Sequence, residues 1–104
     1  MARRGRRRRG RQGRIPTPVY IGHTPPVKEL APNPSSQKEP IHIEAAELEA
    51  LRLVDLKDLS QEEAGDRMGV SRGTVWRLLQ RARKKTTQAL VEGRKLVFLP
   101  SVDE

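Results

Sequence analysis

Apolar residues in the second half of this chain return at intervals of three and four positions, the spacing of one face of an α-helix. Over residues 44–56 the spacing predicts a first amphipathic helix, with Leu48, Leu51 and Val54 on its apolar face. The other face is charged, and we expect the carboxylates of residues 44–66 to form a solvated surface. Residues 95–99, a lysine followed by four apolar residues, predict one short strand or a hydrophobic latch, which Pro100 ends.

Two further helices are predicted on either side of a glycine turn. Ser60 begins the second helix, because Glu63 three positions later completes a capping box, in which each side chain bonds the other's backbone amide. The helix is expected to end at Gly69, where glycine adopts a positive φ without steric cost. Ser71 caps the third helix, which should run to about residue 90 or 91, before Gly93. A short helix, a glycine turn and a longer basic helix are typical of a helix-turn-helix.

Small and apolar residues around this turn support the same interpretation. Gly65 lies in the middle of the second helix, where glycine costs about 1 kcal/mol relative to alanine, and a close helix crossing would explain it. Val70 is expected to fill the gap between the helices, and Val75 and Leu78 fall on the inner side of the third helix. The sequence therefore predicts an all-α, tri-helical helix-turn-helix domain.

The composition changes twice upstream of the helices. Residues 1–14 contain eight arginines, three glycines and no acid, which predicts a disordered basic arm. Residues 15–40 hold seven of the eight prolines and are predicted to be a linker, although residues 19–21 leave open a short strand or a segment packed on the domain. The folded domain is then expected over residues 41–99.

Charge and composition restrict the classes of protein. The net charge of +8 comes from the arm, because the other 90 of the 104 residues carry equal numbers of basic and acidic side chains. Residues 44–66 hold eight acids and two bases, whereas residues 72–85 hold six bases and no acid, which predicts an acidic and a basic face. Without cysteine there is no disulfide and no cysteine-ligated zinc, and no apolar run approaches the roughly 20 residues of a membrane span. We expect a cytoplasmic, nucleoid-associated protein with no cofactor, metal site or membrane contact.

The third helix carries candidate DNA contacts on the side opposite its apolar residues. At about 100° per residue, Gly73, Arg77, Gln80 and Lys84 form one stripe, which we call the exposed stripe. Arginine can donate two hydrogen bonds to guanine and glutamine can pair with adenine, so Arg77 and Gln80 are the predicted base contacts. The other predicted DNA-binding residues lie on or beside the stripe, where they are expected to hold phosphates, to contact the duplex or to let the backbone come close to it. They are Ser71, Arg72, Gly73, Thr74, Trp76, Arg81, Lys84 and Lys85.

Some of these roles stay open at the level of sequence. Arg72 lies in the first turn, within reach of either a base or a phosphate, while Ser71, Thr74 and the helix N-terminus can hold a phosphate. Gly73 permits a close approach of backbone to DNA. Trp76 fits two interpretations equally well, contact with a thymine methyl or a sugar, and cover for the edge of the small core.

The arm supplies a second set of predicted phosphate contacts. It can follow the minor groove or the phosphates of duplex DNA, or attract any polyanion, including RNA. In each case binding should weaken steeply as the salt concentration rises. The residues are Arg3, Arg4, Arg6, Arg7, Arg8, Arg9, Arg11 and Arg14.

The helical half of the chain also resembles a known family. It is similar to the domain of unknown function 134, a family of small prokaryotic proteins predicted to bind DNA, whose helix-turn-helix is in turn similar to region 4 of sigma-70 factors. The resemblance implies a tri-helical domain with a transcriptional role, acting on the major groove of promoter DNA. The runs that carry it are Glu47-Leu48-Glu49-Ala50-Leu51-Arg52-Leu53, Asp55-Leu56, Ser60-Gln61-Glu62-Glu63-Ala64, Met68-Gly69-Val70-Ser71-Arg72, Ala82-Arg83-Lys84-Lys85 and Ala89-Leu90-Val91-Glu92-Gly93.

The sequence leaves alternatives to DNA binding. An enzyme is not expected, because His23 and His42 have no metal-ligand spacing and no nucleophile motif or phosphate loop is present. An RNA-binding or nucleoid protein acting through the arm is an alternative, although Tyr20, Trp76 and Phe98 make no stacking platform. A sigma-like module that docks on RNA polymerase is another alternative, and a homodimer is left open. The prediction is sequence-specific binding of double-stranded DNA by a transcriptional regulator.

Overall fold

The computed structural model describes residues 18–100 and contains three helical segments and a small sheet. The predicted arm, residues 1–14, lies outside the described residues. In chain order the elements are β1 (Glu29–Leu30), β2 (Ile41–Ile43), α1 (Ala45–Leu51), a π-helical turn that continues α1 (Arg52–Leu56), α2 (Gln61–Met68), α3 (Arg72–Glu92) and β3 (Leu96–Phe98).

The predicted limits of the second helix are confirmed, and the third helix begins after Ser71 as predicted but ends at Glu92, slightly beyond the expected residue 90 or 91. The hydroxyl of Ser60 accepts a hydrogen bond from the Glu63 amide at 3.0 Å, and the Glu63 carboxylate accepts one from the Ser60 amide at 2.8 Å. Gly69 ends α2 with φ of 73°, and Gly93 ends α3 with φ of 65°. Local chemistry therefore fixes where α2 begins and where both helices end.

The fold is not purely α-helical, so the predicted fold class is wrong in this respect. The segment around β3 is a strand, one of the two alternatives that the sequence left open. β3 lies at the centre of the sheet, antiparallel to β1 and parallel to β2. Its two partner strands have two and three residues, too short for the alternation of apolar and polar positions that reveals a strand.

Two groups of buried side chains hold the elements together. The sheet packs against the C-terminal part of α3, where Ile41 and Leu96 lie against Ala89, with Phe98 half-buried beside them. The larger group joins α1, its π-helical turn, α2 and the first half of α3, and consists of Ala50, Leu53, Ala64, Met68, Val75 and Leu78. As a result α3 is supported by other helices near its start and by the sheet near its end.

Gly65 is required by the turn between α2 and α3. A Cβ atom at this position would lie 2.6 Å from the carbonyl oxygen of Val70 and 3.5 Å from the side chain of Val75. The predicted close approach is confirmed, although the nearest atom belongs to the turn and not to the body of α3. Val70 is half-buried against the helical core, as expected of a residue that fills the gap.

The proline-rich segment before β2 contacts the domain near both of its ends. The Tyr20 amide donates a hydrogen bond to the Met68 carbonyl at 3.0 Å, and the Arg94 guanidinium donates one to the Glu39 carbonyl at 2.8 Å. Val19 packs against the helical core, which confirms the packed alternative for residues 19–21. We therefore count residues 18–40, predicted as a linker, with the folded unit.

Two carboxylates that were expected to be solvated are buried. Glu47 is 1% exposed and Glu49 is 4% exposed, so the prediction of a solvated acidic face is wrong for these residues. Glu47 accepts hydrogen bonds from the Lys85 ammonium at 2.7 Å and from the Glu44 amide at 2.9 Å. A buried carboxylate is stable only when a cation and further donors replace water, and Lys85 comes from a different helix, which helical periodicity does not report.

Glu49 is satisfied in a different way. Both of its oxygens accept hydrogen bonds from Arg52, at 3.0 and 2.8 Å, and the Gly22 amide donates a third at 2.9 Å. Burial by itself raises the pKa of Glu49, but the hydrogen bonds from Arg52 and Gly22 outweigh burial and hold that pKa below its usual value. The ionised carboxylate thus ties α1 to the segment that precedes the sheet.

The two glycines on either side of the turn provide a matched test of this packing. Gly65→Ala should destabilise the protein by about 2–3 kcal/mol, because the new methyl group would overlap a backbone oxygen. Gly73→Ala should leave stability unchanged or raise it by up to about 1 kcal/mol, since its methyl group would make only ordinary van der Waals contacts. Equal effects of the two substitutions on urea unfolding would contradict this account.

Candidate nucleic-acid interface

One side of α3 is buried and the opposite side is exposed. Val75, Leu78, Leu79 and Ala82 are buried and hold the first half of the helix against its neighbours. On the other side the residues of the exposed stripe are all accessible to solvent. Most of the other predicted contacts are exposed as well, with Thr74 half-buried: Ser71, Arg72, Trp76 and Arg81.

Hydrogen bonds between side chains order the first turn of α3. The hydroxyl of Ser71 accepts a hydrogen bond from the Thr74 amide at 3.1 Å and lies 3.0 Å from the Thr74 hydroxyl. The guanidinium of Arg77 donates to the same Thr74 hydroxyl at 3.3 Å. Arg77 is therefore held near the start of the helix with most of its donors still available, because a guanidinium has five N–H groups.

The fold itself does not require glycine at position 73. A Cβ atom there would have as its nearest neighbours the Arg77 guanidinium at 3.8 Å and the Ser71 hydroxyl at 3.9 Å, both ordinary contacts. Gly73 is exposed and lies in the first turn of α3. The absence of a side chain at position 73 of the exposed stripe is therefore not needed for packing within the domain.

Trp76 lies at the edge of the exposed stripe with 52% of its surface accessible. It belongs to neither of the two hydrophobic clusters among residues 18–100. This placement favours an outward contact over the alternative in which the indole covers the core.

The cations of α3 fall into two groups. Among the described residues, Arg72, Arg77, Arg81 and Lys84 form no salt bridge, and all four are exposed. Lys85 differs, because its side chain is only 29% exposed and its ammonium pairs with buried Glu47. The structure therefore does not bring Lys85, a predicted phosphate contact, to the exposed stripe.

Arg83 is also engaged within the domain. Its guanidinium donates two hydrogen bonds to the carboxylate of Asp55, at 3.1 and 2.8 Å, and joins α3 to the π-helical turn. These hydrogen bonds lower the pKa of Asp55 and raise that of Arg83. Because Arg83 and Lys85 pair with carboxylates, the cations of α3 that form no salt bridge within the described residues lie on the solvent-exposed side of the helix.

Tyr20 is a residue of this surface that the sequence analysis did not select. Its ring lies 3.0 Å from the position that a Cβ atom on Gly69 would take, directly over the turn between α2 and α3. Together with the hydrogen bond from its amide to Met68, this contact places residue 18 beside the turn between α2 and α3. The described part of the chain thus starts next to the candidate interface. A lone aromatic residue just after two prolines is the one signal that could have suggested an anchor.

No group of three or more His, Cys, Asp or Glu side chains within residues 18–100 is arranged to hold a metal ion. No helix in that range has the length and apolar character needed to cross a membrane.

The family described as "Protein of unknown function DUF134" matches residues 1–100 of the chain. The chain belongs to this family. The match extends well beyond the helical runs that carried the resemblance and takes in the arginine-rich start. It also takes in both outer strands of the sheet.

Curated relatives carry names that assign no activity. A UPF0251 protein of Thermococcus kodakarensis is 58% identical over 81% of this chain and 77% of its own length. A UPF0251 protein of Pyrococcus furiosus is 51% identical over 100% of this chain and 94% of its own length. A bacterial relative, from Vibrio parahaemolyticus, is 51% identical over 62% of this chain and 68% of its own length. No solved structure matches.

The division of the α3 cations into paired and unpaired residues can be tested with two adjacent lysines, Lys84 and Lys85. Lys85→Met should lower the free energy of unfolding by about 2–3 kcal/mol, because it leaves the buried carboxylate of Glu47 without its cation. The loss should fall short of that for a fully buried pair, since Lys85 is partly exposed. Lys84→Met should change stability little. A stability loss in Lys84→Met as large as that in Lys85→Met, measured by urea unfolding, would contradict the assignment.

Proposed function

We propose that this DUF134 protein binds double-stranded DNA in a sequence-specific manner and regulates transcription. The observation that carries the proposal is the sorting of cations on α3, where exposed and unpaired basic residues lie opposite a buried stripe. An α-helix fits the major groove, which is about 12 Å wide, and unpaired cations on its outer side can neutralise phosphates. We place the protein in the cytoplasm, at the nucleoid.

In this proposal the first half of α3 enters the major groove. Its outer side is free there, whereas Ala89 near the other end packs on the sheet. The helix has 21 residues and is about 30 Å long, so its N-terminal half can follow the groove while the sheet stays clear of the duplex. The α2–α3 unit would then act as a helix-turn-helix related to region 4 of sigma-70 factors, as the family resemblance implies.

The exposed residues have distinct proposed roles. Arg77 and Gln80 contact base edges, since both can form two hydrogen bonds to a single base. Gly73 allows the backbone to approach the duplex closely. Trp76 contacts a thymine methyl group or a sugar, while the remaining residues hold phosphates and set the register: Ser71, Arg72, Thr74, Arg81 and Lys84.

The position of Tyr20 supports a role for the arm on the same duplex. Because the chain upstream of residue 18 begins beside the turn, arginines 3–14 can reach phosphates or the minor groove next to the site of α3. These arginines carry no sequence information if they contact phosphates alone. The arm is therefore proposed to add affinity, and α3 to add specificity.

Substitution of the base contacts should relax specificity. Arg77→Ala and Gln80→Ala are each expected to cost about 1–3 kcal/mol of discrimination at one base pair. The measurement is selection of bound duplexes from a random pool at near-physiological salt, followed by affinities for single-base variants of the selected site. Arg83→Ala is the matched control, because Arg83 is paired with Asp55 and should leave the selected sequence unchanged. Absence of any enriched sequence with the unaltered protein would refute sequence-specific binding.

Removal of residues 1–14 should weaken binding to every duplex alike. Each lost phosphate contact reduces the slope of log K against log salt by about 0.9, so the salt dependence should flatten. Titrations of the selected site and of a scrambled site over a range of salt concentrations measure both effects. A change in the preferred sequence after the deletion would show instead that the arm contributes to sequence recognition.

A further inference from the structure

A partly enclosed cavity of about 650 Å³ lies on the domain between the proline-rich segment, α1 and β3. Its walls are mainly apolar and include Val27, Ile43, Leu48, Phe98 and Leu99. The volume falls within the range of roughly 300–1,000 Å³ that is usual for small-molecule sites in proteins. A domain of this size has little apolar surface to spare, so an apolar cavity of this volume beside its sheet is a candidate binding site.

One wall of the cavity is polar and contains both basic and acidic side chains, and most of the acidic ones are already paired. The two oxygens of Glu49 already accept three hydrogen bonds, from Arg52 and from the Gly22 amide. Nη1 of Arg52 has no hydrogen-bond partner among the described residues, and the lining also includes Lys28 and His23. Glu29, another residue of the lining, is paired with Lys95 at 3.4 Å, and Glu44 is the remaining acid. The Arg52 wall can therefore donate to a ligand but has little capacity left to accept.

We propose that this cavity binds a small, predominantly apolar molecule that carries one carboxylate. The apolar body would fill the space between Leu48 and Phe98, and the carboxylate would accept hydrogen bonds from the free side of the Arg52 guanidinium. Arginine suits this role because its planar group can serve two carboxylates at once, Glu49 on one edge and the ligand on the other.

The cavity is also connected to the candidate nucleic-acid interface. Ile21 and His23 line it, while Tyr20, the residue before Ile21, covers the helix-turn-helix turn at Gly69. Gly22, between them, is held by Glu49. A ligand that displaces residues 21–23 would thus shift Tyr20 and the attachment of the arm. On this basis, which rests on the proposed DNA binding, occupation of the cavity should lower the affinity for DNA.

Ligand binding can be tested without DNA by titrating the full chain with three ten-carbon probes, decanoate, decanol and decylamine. Isothermal titration calorimetry gives the affinities, and amide shifts in ¹H–¹⁵N spectra locate the site. Decanoate should bind saturably, at least tenfold more tightly than the other two, with shifts centred on Leu48, Val97 and Phe98. Equal affinities, absence of saturation or shifts spread over the surface would overturn the proposal.

Two variants separate the apolar and polar contributions. Leu48→Trp should fill the cavity and weaken all binding at least tenfold, whereas Leu90→Trp, the same change at an exposed position outside the cavity, should have no effect. The double variant Glu49→Gln/Arg52→Met leaves neither charge unpaired, and should abolish the preference for decanoate while keeping the affinity for decanol. The double variant keeps the test decisive if Leu48→Trp fails to fold. An unchanged preference for decanoate in a folded double variant would exclude the Arg52 site.

The proposed effect of cavity binding on the affinity for DNA is measured in a separate experiment. The affinity for the selected duplex should fall at least threefold when decanoate saturates the cavity, and Leu48→Trp should remove this response. Saturable decanoate binding with no change in DNA affinity would exclude the coupling and leave the ligand site standing. If the protein binds no duplex at all, the proposed function fails, and the probe titrations still decide whether the cavity is a site.

Discussion

The contact between Gly65 and the carbonyl of Val70 is the constraint on which the arrangement of the helices depends. It lets the turn fold back onto α2, so that Val70 and Val75 reach the core and α3 leaves the turn in a fixed direction. Gly69 supplies the positive φ that the reversal needs, and the Tyr20 ring lies over it. The direction of α3 in turn decides which of its residues are buried and which face solvent. A side chain at position 65 would disturb all of these relations together.

Two buried carboxylates connect this helical unit to the rest of the chain. Glu47 pairs with Lys85 and links α1 to the middle of α3, while Glu49 pairs with Arg52 and holds Gly22. Buried ion pairs contribute little net stability, because desolvation offsets most of the attraction, but loss of one partner is costly. Their effect is to specify which segments lie together. A domain with few large apolar residues gains from such pairs the order that a bigger core would provide.

The same pairing separates structural cations from cations available to a partner. Lys85 and Arg83 neutralise carboxylates of the domain, and the remaining basic residues of α3 are left without partners on one side. Composition alone does not make this distinction, since adjacent Lys84 and Lys85 look equivalent in sequence. The proposed interface is therefore narrower than the basic run of residues 72–85, and it lies next to the attachment of the arm. Residues 21, 23 and 24 line the cavity, whereas Tyr20 lies at the turn. In our proposal a ligand in the cavity therefore acts on the interface through this short segment.

Features that depend on neighbours a few positions apart could be predicted from the amino-acid sequence. The capping box of Ser60, the left-handed glycines that end α2 and α3, and the exposed stripe of α3 all follow from local hydrogen bonding and helical periodicity. The sheet, the burial of Glu47 and Glu49, the role of Lys85 and the packing of Tyr20 became apparent only in the folded domain. Each of these depends on a partner 20 or more positions away or on strands too short to show a pattern. Periodicity reports which face of an element is buried, but it does not report which distant segment covers that face.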